Sequence, residues 1–147
     1  MMKRNLTILA LLVSTLSFAQ LRKIPPAVTA AFSRQYPRAT DVSYRDQLTG
    51  YYVDFKLDSL EMTARYNNDA DWKETEAATP YESIPASVKD GFSKSKYATD
   101  WKVNEAATLY LPGNVKQYRL KVEKNELQRK YLYFSPTGRL LRDSITL

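Results

Sequence analysis

Cysteine and histidine are both missing from this 147-residue chain. Without cysteine there is no disulfide, although small exported domains often rely on them, and no thiol to carry a bacterial lipoprotein's lipid. Without either residue, the usual zinc sites, Cys and His nucleophiles and His general bases are excluded. Charge of one sign is nowhere concentrated, because Lys and Glu interleave along the chain. Nucleic-acid binding gathers Lys and Arg on one face or in one run. The net charge of +6 therefore fits solubility and acidic partners and argues against DNA or RNA. Past the N-terminal segment, no apolar run approaches the roughly 20 residues that cross a bilayer.

What is present begins with a leader. Lys3 and Arg4 precede an apolar run from Leu6 to Leu16, and Ser17-Phe18-Ala19 places small residues where a signal peptidase reads them. This is the layout of a secretory signal, residues 1–19, with cleavage expected after Ala19. The run is too short for a membrane anchor. Removal of those residues leaves 128, of which 20 are basic and 16 acidic. The expected location is the periplasm or the exterior, as a soluble protein with no lipid anchor and no membrane span.

The rest is one unit written twice. Ile24-Pro25-Pro26-Ala27-Val28 with Phe32 returns as Ile84-Pro85-Ala86-Ser87-Val88 with Phe92, at a spacing of 60. Asp41-Val42-Ser43-Tyr44 is answered by Asp100-Trp101-Lys102-Val103. Tyr51, Val53 and Phe55 are answered by Tyr118, Leu120 and Val122, at a spacing of 67. A longer hairpin loop, Leu109-Tyr110-Leu111-Pro112-Gly113-Asn114, is expected to supply the difference.

Each copy opens with Pro near a first helical turn, where its missing N–H is not needed. Val28, Phe32 and Tyr36, like Val88 and Phe92, then share one helix face, and Pro37 ends the first helix. Period-two alternation follows in Tyr51–Leu57, Leu60–Tyr66 and Tyr118–Glu123. Turn residues at Leu48-Thr49-Gly50, Asn67–Asp71, Pro112–Asn114 and Ser135–Gly138 separate the runs. The expected fold class is α+β: two tandem helix-plus-four-stranded antiparallel sheet units, residues 20–80 and 81–147, with the helices on one face of the sheet. A unit of about 60 residues is marginal alone, so the halves should share a core or a continuous sheet.

With those residues in view, the chain resembles the PepSY-like family of exported bacterial proteins, also called beta-lactamase-inhibitor-like. The resemblance rests on the two Ile-Pro helix starts, the strand Tyr51-Tyr52-Val53-Asp54-Phe55, and the hairpins around Asp69-Ala70-Asp71-Trp72 and Pro136-Thr137-Gly138-Arg139-Leu140. It implies a tandem helix-over-sheet fold and protein binding or enzyme inhibition in a Bacteroidetes-type envelope. Its motifs carry no catalytic residues. The family pattern usually has Gly in the hairpin. Gly138 keeps it and Ala70 departs, so a different geometry is expected of the first turn.

Three constellations resemble catalytic or metal motifs. Ser93-Lys94-Ser95-Lys96 fits S-x-x-K, but the S-D-N and K-T-G elements that accompany it are absent, and a solvated basic helix end accounts for it. Asn67, Asp69 and Asp71 have the spacing of a calcium loop's start. Trp72 and Ala78 stand where Gly and a carboxylate are needed, so a polar turn is the expectation. Glu74 and Glu76 share a strand face without a cleft to separate their roles. No catalytic residue, metal or cofactor is expected.

The aromatic residues are the stronger lead. If Val53, Phe55, Leu120 and Val122 face the helix, Tyr52, Arg65, Arg119 and Lys121 face away. Aligning Phe134 with Tyr66 puts Tyr131 and Tyr133 outside too. Tyr and Arg on an open face are what interfaces favour, although Tyr also suits any half-buried strand. Tyr110, at the expected loop tip, is a second candidate. The reading is a non-enzymatic exported module with a protein-interaction or enzyme-inhibitor-like role, acting through Tyr52, Arg65, Tyr110, Arg119, Lys121, Tyr131 and Tyr133. The alternative is a binder of a small ligand or cell-envelope polymer.

Overall fold

The computed structural model describes residues 23–146. The expected signal segment lies outside the described residues. The order is α1 (Pro26–Gln35), β1 (Thr40–Gln47), β2 (Gly50–Leu57), β3 (Leu60–Tyr66), β4 (Trp72–Ala78), α2 (Ala86–Ser93), β5 (Lys102–Leu111), β6 (Val115–Asn125), β7 (Gln128–Phe134) and β8 (Leu140–Ile145). A 3₁₀ turn, Tyr81–Ser83, precedes α2. Helix plus four strands therefore occurs twice. The strands form one eight-stranded sheet in simple sequence order, with every neighbour antiparallel. This corrects the expectation of a four-stranded sheet in each unit. Pairing over Thr75–Ala78 of β4 and Ala107–Tyr110 of β5 joins the halves.

Two short helices of 10 and 8 residues are too short to persist alone in water. Proline starts them: Pro26 sits in the first turn of α1, and Pro85 caps α2 with φ already near −54°. Burial holds them. Val28, Phe32 and Val88 are almost fully enclosed, each contributing about 1.5–3 kcal/mol relative to exposure. Under α1 the Phe32 ring meets Phe55 edge-on at 5.0 Å, and Tyr36 packs on Phe55 at 4.7 Å. Under α2 a separate cluster gathers Val88, Leu120, Val122, Leu132 and Phe134.

Residues paired across a ladder share a face. Following the register from Thr75 to Tyr110, Thr108 to Tyr118 and Leu120 to Leu132 puts both helix-covered clusters on the same side. The opposite side carries no helix.

The two halves correspond at several points. Asn67 N–H donates to Asp71 O, and Ala70 N–H to Asn67 O; Ser135 N–H donates to Arg139 O, and Gly138 N–H to Ser135 O. Ala70 has φ 66° and Gly138 φ 84°. The first turn thus has the left-handed geometry of the second, not a different one, and an alanine adopts it. In the second copy Gly138 also lies against α2: a Cβ there would sit 2.0 Å from Ser87 O, and a Cβ on Gly91 1.9 Å from Gly138 O. After each helix a tyrosine is tied to the fourth strand. Tyr36 bonds Thr75, and the Tyr97 hydroxyl donates to Asp143.

The additional residues of the second copy do not form a long loop. They lengthen β5 and β6 to 10 and 11 residues, leaving a tight turn at Pro112-Gly113-Asn114.

Candidate functional site: the helix-free sheet face

Alternation along each strand places six of the seven sequence candidates on the helix-free face. Tyr52 pairs with Arg65, and Arg65 with Glu74. Across the second half, Arg119 pairs with Tyr133 and Lys121 with Tyr131. Tyr110 is the exception. It belongs to β5, pairs with Thr75 and Lys116, and lies on the helix side. Leu109, not Tyr110, points to the helix-free side, and it is buried at 2% exposure. The supposed loop tip is therefore a strand end whose alternation sends Tyr110 away from the other candidates.

The face is not a row of free side chains. Arg45 holds Asp54 through two hydrogen bonds of 2.5 and 2.9 Å, and Thr63 donates to the same carboxylate. The Arg45 hydrogen bonds keep the Asp54 pKa below its ordinary value, and Asp54 raises that of Arg45 in return. Arg65 reaches Glu74 at 3.2 Å and Lys121 reaches Glu105 at 2.7 Å.

Arg119 makes the most enclosed of these pairs, bonding both oxygens of Glu76, one at 2.6 Å. Glu76 belongs to β4 and Arg119 to β6, so this pair arches over β5. Beneath it, by register, lie Leu109, opposite Glu76, and Ala107, opposite Arg119. Both are enclosed despite facing the helix-free side. Long paired side chains cover apolar surface with their stems, so the join between the halves has a small apolar centre of its own.

The rings are braced as well. The Arg45 guanidinium lies 5.3 Å from the Tyr52 ring centre, and Arg119 lies 4.3 Å from that of Tyr131. Arg142 sits 3.4 Å over Tyr133, whose ring is 6.5 Å from that of Tyr131. Such contacts contribute about 0.5–2 kcal/mol each, more when desolvated. Tyr133 is consequently buried at 9% exposure and is not the open aromatic the sequence suggests. Tyr52 and Tyr131 are half-buried, as are Arg65, Arg119 and Lys121. Sequence reasoning missed Arg45 and Arg142, the cations that hold the rings. Their place opposite Tyr52 and Tyr133 in edge strands is a signal that register alone exposes.

The catalytic look-alikes resolve into local structure. The Ser93 hydroxyl donates to Asp90 O, and Lys94 pairs with Asp90 at 2.7 Å. Asn67 Oδ1 accepts from the Asp69 and Asp71 amides, an Asx turn. Glu74 and Glu76 are each held by an arginine. Among the described residues no group of acidic side chains is placed to hold a metal ion, and no helix is long and apolar enough to cross a membrane.

The class this fold defines is an open antiparallel sheet backed by helices on one side only. A family described as "Putative beta-lactamase-inhibitor-like, PepSY-like" matches residues 16–64 and 49–142, and the chain belongs to that family. Among solved structures it is similar to a BLIP-like protein from Bacteroides fragilis (26% identity, TM-score 0.72, covering 85% of this chain and 89% of that one). A DUF2874 family protein from Bacteroides uniformis matches at 22% identity and TM-score 0.74, over 84% of this chain and 90% of its own. A protein from Bacteroides eggerthii described among "putative periplasmic proteins" matches at 21% identity and TM-score 0.71, over 84% of this chain and 89% of its own. No curated protein matches.

Proposed function

We propose that this chain is an exported, non-enzymatic module that binds another protein, in the periplasm or outside the cell, through the helix-free face. The carrying observation is that face itself: a continuous surface on which rings and arginines are already held in fixed positions. Immobilising long side chains on association costs about 0.5–1.5 kcal/mol each, and here intramolecular pairing has removed much of that freedom. Tyr52 in β2 and Tyr131 in β7 are five strand spacings apart, roughly 24 Å. That span suits a standard interface of about 800 Å² per partner. Family membership and the likeness to a BLIP-like protein support an inhibitor-like role.

In this reading residues 20–80 and 81–147 are two copies of one unit fused edge to edge, so that neither half carries the face alone. Tyr52 and Tyr131 are the contacting rings. Arg65, Arg119 and Lys121 hold the surface in shape and supply rim charge through their carboxylate partners. Tyr133 packs edge-on beside Tyr131, and Tyr110 has no part in the contact.

The test begins with a partner identified by affinity capture from the native periplasm and then purified. Tyr52→Ala and Tyr131→Ala are expected to stay folded, with a Tm lowered by no more than about 8 °C through loss of their arginine contacts, and each to weaken that partner's binding about tenfold or more by calorimetry, as truncation of an interface aromatic does. Full affinity in the double variant would remove the helix-free face as the contact.

A further inference from the structure

The helix side of the sheet holds a cavity of about 710 Å³. It lies between the end of α1, the β2–β3 turn and the β5–β6 hairpin. Its size falls within the range of small-molecule sites. Tyr36, Trp72 and Tyr110 line it together with Leu57, Leu60 and Met62.

The polar tips of two of these rings are already engaged. Tyr36 Oη and Thr75 Oγ1 are 2.6 Å apart, and Trp72 Nε1–H donates to the same oxygen at 2.8 Å. Thr75 is fully enclosed. Carbon, not hydrogen-bonding capacity, is therefore what these rings offer an occupant. At the rim, Leu60 and Val115 remain 41% and 48% exposed, an apolar area that an occupant would remove from water.

The fold does not demand this apolar lining. Met62 faces Phe55 across the β2–β3 ladder, and its counterpart facing Val122 across the β6–β7 ladder is Lys130. The sister copy thus tolerates an ammonium where the cavity has a thioether. The rim carries one charge of each sign, Asp58 and Lys116, and among the described residues only the carboxylate has an ion-pair partner. Asp58 is paired with Arg38 at 3.6 Å. Lys116 lies 5.4 Å from the Tyr110 ring and has no carboxylate partner among the described residues.

The geometry points to a binding site for an anionic amphiphile, its alkyl chain along the Tyr36–Trp72–Tyr110 wall and its headgroup at Lys116. This inference concerns the opposite side of the sheet and does not rest on the protein-binding reading. A free fatty acid and the acyl chain of an anionic phospholipid share this chemistry.

The experiment titrates the purified protein with dodecanoate and with dodecyltrimethylammonium, both below their micellar concentrations, by calorimetry. Saturable binding of dodecanoate, at least tenfold tighter than the cationic analogue, is expected. Leu60→Gln and Val115→Asn, both at exposed positions, are expected to keep the Tm and to weaken binding about tenfold. Lys116→Glu is expected to abolish the preference for the anionic head. Co-sedimentation with phosphatidylglycerol vesicles separates the sources: uptake that Leu60→Gln removes assigns a membrane lipid, and dodecanoate binding without it assigns a free fatty acid. No saturable binding by the folded protein, equal affinity for both heads, or affinity unchanged in Leu60→Gln and Val115→Asn would overturn the site. Vesicle binding that survives Leu60→Gln would likewise place the lipid contact elsewhere.

Discussion

Arg119 joins the halves of the sheet as a side chain, because its guanidinium crosses β5 to reach Glu76. Arg119→Ala removes a charge-assisted pair and uncovers Leu109 and Ala107, and a loss of about 1–3 kcal/mol in urea unfolding is expected. Replacing both partners with Met should cost less than the single change, since no carboxylate is then left without its cation. Ala70 is a second point of leverage. At φ 66° an L-residue is strained by about 1–2 kcal/mol, and glycine relieves that against its own entropic cost. Ala70→Gly should therefore stabilise by about 0.5–1 kcal/mol. Gly138→Ala, at the matching site, should destabilise by at least about 2 kcal/mol, because its Cβ would meet Ser87 O at 2.0 Å. Thermal unfolding of the two variants gives opposite signs if the turns are equivalent.

At the scale of elements, legibility depended on whether a strand has one wet side. β2, β3 and β6 alternate because one face packs under a helix and the other meets water, and their register with the helices followed from pattern alone. β5 does not alternate: Ala107, Thr108 and Leu109 are buried in succession. It lies at the centre of the sheet, covered on the helix side by the β4–α2 connection, where Thr79 Oγ1 bonds Thr108, and on the other side by the Arg119–Glu76 arch. A strand buried on both faces has no period-two signal, and the Pro-Gly-Asn turn beside it drew Leu109–Leu111 into an apparent loop. The same strand left open whether the halves share only a core or one continuous sheet, since β4 and β5 pair over only a short stretch. Tyr110 was misplaced for this reason, and with it the aromatic cavity. The bracing of Tyr133 by Arg142 depended on edge-strand pairing, which no local pattern encodes. The helix starts and the equivalence of the hairpins were legible because Pro and turn residues act locally.

For the whole molecule, titration defines a broad stable range. Hydrogen bonds from Arg45 and Tyr97 keep Asp54 and Asp143 below their usual pKa. Their contribution is present above the unfolded value near 4 and is lost as pH falls through the lower folded values. Burial raises Tyr36, Tyr44 and Tyr66, and burial with the Asp143 contact pushes Tyr97 up to about 12. That contribution is full below pH 10 and disappears as pH rises through the folded values. With no histidine in the chain, Tm is expected to be nearly flat between about pH 5 and 9 and to fall on both sides. One continuous sheet should also unfold in a single calorimetric transition, whereas two transitions would mean that the halves are independent.

The central claim is that the helix-free face meets another protein. Its most direct measurement is site-specific photo-crosslinking in intact cells, with benzoylphenylalanine at position 52, at position 131, or at Lys89 on the helix side. The expected result is one common protein linked from positions 52 and 131 and absent from position 89. Linkage from position 89 alone, or different proteins from positions 52 and 131, would contradict it.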